Sequence, residues 1–405
     1  MAQTLTAQAV RHRILPETLY SDHAIAAWTK AFYQYPVLYH AFQWTTEVHR
    51  DLVRNEISAS VTKESLRHRI LGIHHLKHML AAPLHGFDLE ITLMCLQAFS
   101  WSELDQAAMD RMFAQAPLVF EPPILTNDFQ VLNRLGRDPR HGAAMEVITR
   151  RLGAWANWKL PGLAQTSGIV DLAYASRRAT RPLFPPYWVC EKKTPLVDNR
   201  RLLVNGQAPG RGFFARIPSK GLPPTMLRLL IQLATIGRVM SLERSKDLTL
   251  ERKTQLMDRR NAIQYEFLCL PSWDSLDVST KEASSEAATK SIWLTSIIYV
   301  NAVLLGLHGH QGWHTILAAR LWTLLTDLSI STWPEDLDDV SLWVLFVGGM
   351  AAFRSPARDN YEDALRRVLK RKGNPSWTRV ETILHEFMWC DYACRHGASV
   401  LWQSL

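Results

Sequence analysis

The segment Leu342–Phe353 places the strongest constraint on the fold of this 405-residue chain. It reads Leu-Trp-Val-Leu-Phe-Val-Gly-Gly-Met-Ala-Ala-Phe, so a helix formed from it is apolar on every side. A helix that is apolar all round is normally buried in the centre of a protein. We therefore predict that this segment is the central packing element and that the helices beside it cover it.

Two covering helices are predicted after this segment, because apolar residues recur there every three or four positions. A break at Lys370–Pro375 separates them, and the second begins near Ser376. The apolar residues of the first are Tyr361, Leu365, Val368 and Leu369, and those of the second are Trp377, Val380, Ile383, Leu384, Phe387 and Met388.

Helical spacing recurs through most of the chain, and no long window shows the alternation of a β-strand. We predict an all-α fold, a large array of antiparallel helical hairpins with an irregular Pro-rich connection around 180–216. In the basic helix Val61–Leu80 the residues expected to be buried are Leu66, Ile70, Ile73, Leu76 and Leu80. Other predicted helices are Asp22–Tyr35, one from Pro36, Phe87–Phe99, His141–Leu160, one from Leu222, Leu250–Leu270 and Ile292–Leu307.

The predicted domain organisation is one domain over residues 1–405. It has an N-terminal helical half at 1–180, the irregular connection at 181–216 and a C-terminal helical half at 217–405. A connection this long counts somewhat against a single compact unit.

Composition is that of a globular soluble protein, with 47% hydrophobic and 21% charged residues. The net charge of +8 is spread along the chain, which favours a solvated basic surface over a nucleic-acid site. Five scattered cysteines give no disulfide framework and suit a reducing compartment. The longest mostly apolar run, Ile292–Leu307, is shorter than the roughly 20 residues that span a bilayer, so we predict no membrane association.

Histidines crowd one basic helix, where His74 and His78 lie four residues apart on one face and would suit a metal ion. No nearby Cys or Asp completes a site, so a polar helix face is the favoured interpretation. A second group surrounds a Gly turn and is interpreted as surface. The first group is His68, His74, His75 and His78, and the second is His308, His310 and His314.

The pair His385-Glu386 matches the start of a zinc-protease motif, but Trp389 stands where the second histidine ligand is needed. The metalloprotease interpretation therefore fails. Cys390 and Cys394 also lie four apart, and small buried residues are the favoured interpretation.

An acidic cluster, Glu335, Asp336, Asp338 and Asp339, could hold Mg²⁺ together with a diphosphate substrate. The favoured alternative is a helix start, where acids complement the helix dipole.

The densest basic run is Arg366-Arg367 with Lys370-Arg371-Lys372. It could contact phosphates or act as a nuclear localisation patch, but a helix C-terminus explains it as well. The run Gly206–Gly212, with Arg211, is interpreted as a flexible turn and not as a phosphate loop. We predict no catalytic residue, no metal ligand and no cofactor, and residues that bind a small-molecule effector stay unknown.

Four stretches of the second half resemble the fungal-specific transcription factor domain, the regulatory region of fungal zinc-cluster transcription factors. The resemblance covers most of the chain through loose patterns, and in the first half it extends to Pro36–Ala41 and Ser65–His68. The four stretches are Gly212-Phe213-Phe214 with Leu222-Pro223-Pro224, Arg260–Leu268 before Leu270-Pro271, Leu342–Ala351, and Phe387–Asp391 with Trp402.

One departure from this family concerns DNA binding. Its members usually carry an N-terminal Zn₂Cys₆ cluster built from six closely spaced cysteines, whereas residues 1–94 here contain no cysteine. We therefore expect no sequence-specific DNA binding by this chain itself. The module could lie outside this sequence, could have been lost from the gene model, or could be dispensable for the protein.

The resemblance implies a transcription regulator in the nucleus that acts through its helical regulatory domain without its own zinc cluster. Its expected partners are other transcriptional proteins, a second copy in a homodimer, or a small-molecule effector. An alternative is an enzyme or small-molecule-binding protein of specialised, or secondary, metabolism on the same scaffold. Ionisable groups that converge in a cavity, such as the acids of Glu335–Asp339 pointing inward, would favour that alternative. A third alternative is a structural assembly protein that dimerises through helices.

Overall fold

Within the described residues, every regular element of this computed structural model is a helix, which confirms the all-α prediction. The described residues form two compact units. The first unit comprises residues up to 99, 139–171 and 183–186, and the second comprises 119–120, 172–182 and those from 208 onward. The organisation predicted from the sequence, one domain divided at 181–216, stays a prediction. The structure describes residues 22–54, 62–99, 119–120, 139–153, 157–186, 208–215, 222–243, 249–270, 283–307, 313–327, 333 and 335–405.

The first unit is built from helices that pack in sequence order, with the second, third and fourth in mutual contact. Its core includes an aromatic cluster in which the Phe32 and Phe42 rings meet edge to face at 4.7 Å and Trp28 packs against both. Its helices are α1 (Asp22–Gln34), α2 (Pro36–Arg54), α3 (Lys63–Leu80), α4 (Phe87–Phe99), α5 (Pro139–Leu152) and the part of α6 (Leu163–Arg178) that ends at Asp171.

Two buried carboxylates tie the irregular segments of the first unit to its helices. Glu90 in α4 accepts backbone N–H bonds from Lys159 and Leu160 at 2.8 and 2.6 Å. Asp171 accepts the N–H groups of Leu183 and Phe184 at 2.6 and 2.9 Å. A buried charge is tolerated only when hydrogen bonds replace its lost hydration, and these bonds also hold the connecting segments.

Two details of the helices predicted for this unit are wrong. The helix expected to run from His141 to Leu160 ends at Leu152, because Gly153 takes a φ of +70°, which terminates helices. In α3, Ile70 and Leu80 are 66% and 47% exposed instead of buried, and only Leu76 of the expected set is fully buried.

The second unit is organised around one helix that is buried at every residue, Asp338–Ala351. It contacts six other helices and a 3₁₀ turn, so the prediction that the Leu342 segment is the central packing element is confirmed within this unit. The elements are α7 (Arg211–Ala215), α8 (Pro224–Leu242), α9 (Leu250–Leu268), α10 (Ala283–Tyr299) continuing as a π-helical turn (Val300–Leu304), α11 (Trp313–Asp327), the 3₁₀ turn Glu335–Leu337, α12 (Asp338–Ala351), α13 (Ala357–Arg371), α14 (Trp377–His385) and α15 (Asp391–Gln403).

The irregular connection predicted at 180–216 lies largely outside the described residues. Within it, residues 181–186 follow the end of α6 without forming a regular element, and α7 occupies 211–215. The Gly turn next to His308 and His310 also lies outside the described residues.

The helix predicted to carry Phe387 and Met388 ends earlier, at His385. The two residues are nevertheless buried, in the turn between α14 and α15. The backbone leaves the helix there because its carbonyls serve other partners. Glu386 O accepts the N–H of Gly212 at 2.6 Å, and Met388 O accepts the indole N–H of Trp343 at 2.9 Å.

One described helix, α8, is long and apolar enough to cross a membrane by length and composition alone. Half of its most apolar window is buried inside the protein, as in a core helix. Its residues Leu229, Leu230, Leu233 and Ile236 have no exposed surface.

Candidate functional site

Three of the four stretches that carry the family resemblance meet at one aromatic cluster. The Phe213 ring stands perpendicular to the Trp343 ring at 5.2 Å and edge-on to the Phe387 ring, also at 5.2 Å. Trp343 and Phe387 stack with their centroids 5.9 Å apart. All three side chains have at most 1% of their surface exposed. These stretches therefore form the core where α7, α12 and the α14–α15 turn join.

Gly212 allows the close approach of α7 to this cluster. A Cβ atom at position 212 would lie 2.7 Å from a ring carbon of Phe387 and 2.9 Å from the carbonyl oxygen of Glu386. These distances are shorter than van der Waals contact, so any side chain here would push α7 away and lengthen the hydrogen bond from Gly212 N. The run Gly206–Gly212 is interpreted from its sequence as a flexible turn, but its last residue, Gly212, is tightly packed. Residues 206 and 207 lie outside the described residues.

The fourth stretch contributes a buried polar cluster on α9. The Arg260 guanidinium is fully buried, donates to the Leu304 carbonyl at 3.0 Å and also donates to the Asn261 side chain. The Gln264 amide donates to the Ser176 hydroxyl at 2.6 Å. The cluster lies against the π-helical turn, whose last carbonyl, that of Leu304, accepts the bond from Arg260.

Asn301 in the π-helical turn completes this polar cluster by donating to the Ser176 carbonyl at 2.9 Å. Three of its amide atoms are buried without a hydrogen-bond partner in the described part of the chain: Asn261 Nδ2, Gln264 Oε1 and Asn301 Oδ1. Buried polar atoms of this kind are commonly completed by ordered water. No pattern in the sequence predicts this cluster; Arg260, Asn261 and Gln264 stand out there only through the family resemblance.

A cavity of about 470 Å³ opens on the other side of α9. Its volume is in the range of small-molecule clefts, about 300–1,000 Å³. At its edge Glu266 accepts a hydrogen bond from Arg228 at 3.1 Å. The first turns of α8 and the end of α9 line it, through Pro223, Thr225, Met226, Leu229, Tyr265, Glu266, Cys269 and Leu270.

The acidic cluster and the basic run, separate candidates in the sequence, bind each other. Asp338 receives two hydrogen bonds from the Arg371 guanidinium, one of them at 2.9 Å, and Lys372 Nζ lies 2.7 Å from Asp339. Both aspartates are buried, whereas Glu335 is exposed. The acids stand at the N-terminus of α12 and the bases at the C-terminus of α13, where each charge suits its helix dipole. This pairing favours the helix-start interpretation over a Mg²⁺ site.

The remaining cations of the basic run do not form a continuous free patch. Arg366 forms ion pairs with Asp363 at 2.7 Å and Glu362 at 3.5 Å, and it donates to the Ser404 carbonyl at 2.7 Å. Arg366 therefore fastens the end of the chain to α13. Its neighbours Arg367 and Lys370 are exposed.

Four histidines form two close pairs. One pair joins His68 of the first predicted group to His40, and the other consists of His74 and His78 of the same group. His40 Nδ1 lies 2.9 Å from His68 Nδ1 across α2 and α3, and His78 Nε2 lies 3.1 Å from His74 Nε2 on the surface of α3. Across the described ranges, no group of three or more His, Cys, Asp or Glu side chains is arranged to hold a metal ion.

His314, interpreted as a surface residue of the second histidine group, is instead buried, with its ring 5.9 Å from that of Phe120. The surface interpretation was wrong for it because α11 turns this side chain inward. His308 and His310 lie outside the described residues.

Near the C-terminus, His385 of the pair His385-Glu386 is part of an ion-pair network. His385 Nε2 lies 2.9 Å from an Asp391 oxygen. Burial alone would raise the pKa of Asp391, but His385, together with Arg395 and a hydrogen bond from Trp389, outweighs this effect and holds that pKa below its usual value. Cys390 and Cys394 are both buried, as interpreted, and burial raises the pKa of the Cys394 thiol well above its usual range. A thiol held neutral in this way is a poor metal ligand.

The fold and these contacts define an all-α protein whose motifs serve mainly to pack its second unit. Residues 217–387 match the family model described as the fungal specific transcription factor domain, which confirms the resemblance over that region. This domain indicates a transcription regulator and, in general, nuclear function. No curated protein and no solved structure matches the chain.

Proposed function

We propose that this protein regulates transcription in the nucleus through the helical domain at 217–387, without a zinc cluster of its own. The observation that carries the proposal is the family match over these residues. In this proposal the chain acts by protein contacts with other transcriptional proteins or a second copy of itself.

The packing of the matched region supports a scaffold that presents surfaces to partners. Within it, Trp343 and Phe387 are buried in the core, and Arg260 is buried in a polar cluster. The strongest acidic candidates for an enzymatic metal site, Asp338 and Asp339, are engaged by Arg371 and Lys372. The charges on these residues therefore stabilise the helix junction.

A tethering assay tests the proposal. The full chain is fused to an unrelated DNA-binding module, and expression of a reporter carrying that module's site is measured in fungal cells. We expect the fusion to change reporter expression at least about threefold relative to the module alone. An unchanged reporter, with the fusion folded and present in the nucleus, would contradict the proposal. Sequence-selective binding of DNA by the purified, unfused chain would contradict the part that denies it a DNA-binding module.

A second candidate function, binding of a small molecule, is favoured by the cavity between α8 and α9. Its lining is mostly apolar, and the Glu266 charge at its edge is offset by Arg228, so we propose an uncharged or weakly polar apolar ligand. Such a ligand would be an effector of the regulator, or the cargo or substrate of the alternative protein of specialised metabolism.

Filling the cavity tests this second candidate. Thr225→Tyr places a ring in the cavity mouth from an exposed position, and Thr323→Tyr on the exposed face of α11 is its matched control. With the uncharged apolar dye Nile red as probe, we expect Thr225→Tyr to weaken binding at least about fivefold and Thr323→Tyr to leave it unchanged. Equal dye binding by both variants and the unmodified chain would exclude the cavity as the binding site.

A further inference from the structure

We propose that a divalent transition-metal ion binds between His40 and His68 and links α2 to α3. The two Nδ1 atoms lie 2.9 Å apart, and both imidazoles are partly buried between the helices. The class of ligand is an ion that accepts neutral imidazole nitrogen, such as Zn²⁺, Ni²⁺ or Cu²⁺.

The separation of the two nitrogens matches that of two ligands of one metal ion. Bonds of about 2.0–2.1 Å that meet at an angle between square and tetrahedral place two ligand nitrogens about 2.9–3.4 Å apart. Without metal, the 2.9 Å contact is a single hydrogen bond from one neutral ring to the other. The ion would take the place of the Nδ1 proton that the two rings share, and the ring that donated it would become the Nε2–H tautomer. The proton therefore stays on that imidazole, and the site needs little rearrangement of heavy atoms to form.

The surroundings of the pair resemble those that orient a ligating histidine. Glu64 Oε1 lies 3.5 Å from Nε2 of His68, the nitrogen that points away from His40. A carboxylate on the far nitrogen fixes the tautomer and makes the near nitrogen a better donor to a metal. The ring of His75 stacks on that of His40 at 5.6 Å with an interplanar angle of 10°, which holds the second ligand in place.

A transition-metal ion binds neutral imidazole nitrogen, so its binding competes with protonation of the two rings. Two protein ligands leave the other coordination positions to water.

The surface pair on α3 provides an internal comparison. His74 and His78 have their Nε2 atoms 3.1 Å apart, but both belong to one helix and are exposed, so a metal there links no other element. A metal ion at either pair raises the Tm if it binds the folded chain and not the unfolded one, so the variants, and not the rise in Tm alone, show which pair holds it.

The experiment measures Zn²⁺ binding and thermal unfolding of the full chain at pH 7.5. The variants are His40→Phe, which keeps a ring on His75, Glu64→Gln, and the control His74→Ala/His78→Ala. We expect saturable Zn²⁺ binding and a raised Tm in the unmodified chain and the control. His40→Phe should weaken the binding that raises the Tm at least tenfold, and Glu64→Gln should weaken it about tenfold, as second-shell changes do.

Several outcomes would overturn the proposal. They are a Zn²⁺ response lost in His74→Ala/His78→Ala but retained in His40→Phe, a response unaffected by Glu64→Gln, or no saturable response in the unmodified chain. If His40→Phe unfolds in the absence of metal, the exposed position of Glu64 makes Glu64→Gln the deciding variant. Repeating the titration with Ni²⁺ and Cu²⁺ ranks the ions, and Cu²⁺ should bind most tightly.

Discussion

Replacing Trp343 by alanine should unfold most of the second unit's core before it alters any specific activity. Trp343 has no exposed surface, stacks on Phe387, meets Phe213 at a right angle and donates its indole N–H to Met388. It therefore holds α12, α7 and the α14–α15 turn together at one point.

The expected cost of Trp343→Ala follows from these contacts. Truncating a buried aromatic side chain to alanine costs about 3–5 kcal/mol, including the cavity left behind. The buried carbonyl of Met388 also loses its donor, which costs about 1–3 kcal/mol. The sum is comparable with the whole stability of a typical domain, about 5–15 kcal/mol. At about 2–4 °C per kcal/mol, the Tm should fall by 8 °C or more.

Thermal and urea unfolding followed by circular dichroism would measure this loss on the full chain. Trp343→Phe keeps a ring in the cluster and should lose about half as much stability, mainly through the hydrogen bond to Met388. Trp402→Ala is the matched control, because Trp402 is only partly buried and packs on Trp377 at 5.4 Å. An unchanged midpoint for Trp343→Ala, or a larger loss for Trp402→Ala, would refute this view of the core.

Two further predictions concern the charges around α13. Asp338→Asn leaves the Arg371 guanidinium without its buried charged partner and should lower the unfolding free energy by about 2–3 kcal/mol. The control Glu335→Gln, at an exposed position, should lower it by almost nothing. Equal losses in urea titrations of the two variants would contradict the importance of the pairing. The pKa of Glu362 is lowered because hydrogen bonds from Arg358 and Ser404 outweigh the opposing effect of burial. The ionised Glu362 side chain therefore stabilises the fold at pH values above its unfolded pKa, near 4.5. This stabilisation is lost as the pH falls through the lower pKa of the folded state. Glu362→Gln should therefore flatten the acid limb of a plot of Tm against pH, and an unchanged limb would contradict it.

The parts of the fold that could be predicted from the sequence are those set by local pattern. The all-round apolar segment at Leu342 could only be a buried helix, and the spacing in Phe87–Phe99 marked a helix with these same bounds. Errors arose where a pattern had two physical explanations. Ile70 and Leu80 fit an apolar stripe on α3 but face away from its packed side. A periodic pattern cannot show how wide the buried face of a helix is.

The parts that could not be predicted depend on contacts between distant residues. Asp338 and Arg371 are 33 positions apart, so the acidic and basic clusters each resembled a separate binding site until the fold paired them. The buried polar cluster was missed for a related reason. Arg260 and Gln264 are usually surface residues, and only the π-helical turn and Ser176 give them partners inside the protein.

The motifs that carry the family resemblance and the residues proposed to bind ligands are largely different sets. Phe213, Trp343 and Phe387 serve the core of the second unit, and this explains how a family signature can be matched without defining an activity. Individual properties must then come from side chains that packing does not require. The pair His40 and His68, polar and partly buried where α2 meets α3, has this character. Loss of metal binding with an intact fold in a His40 variant would separate the two roles directly.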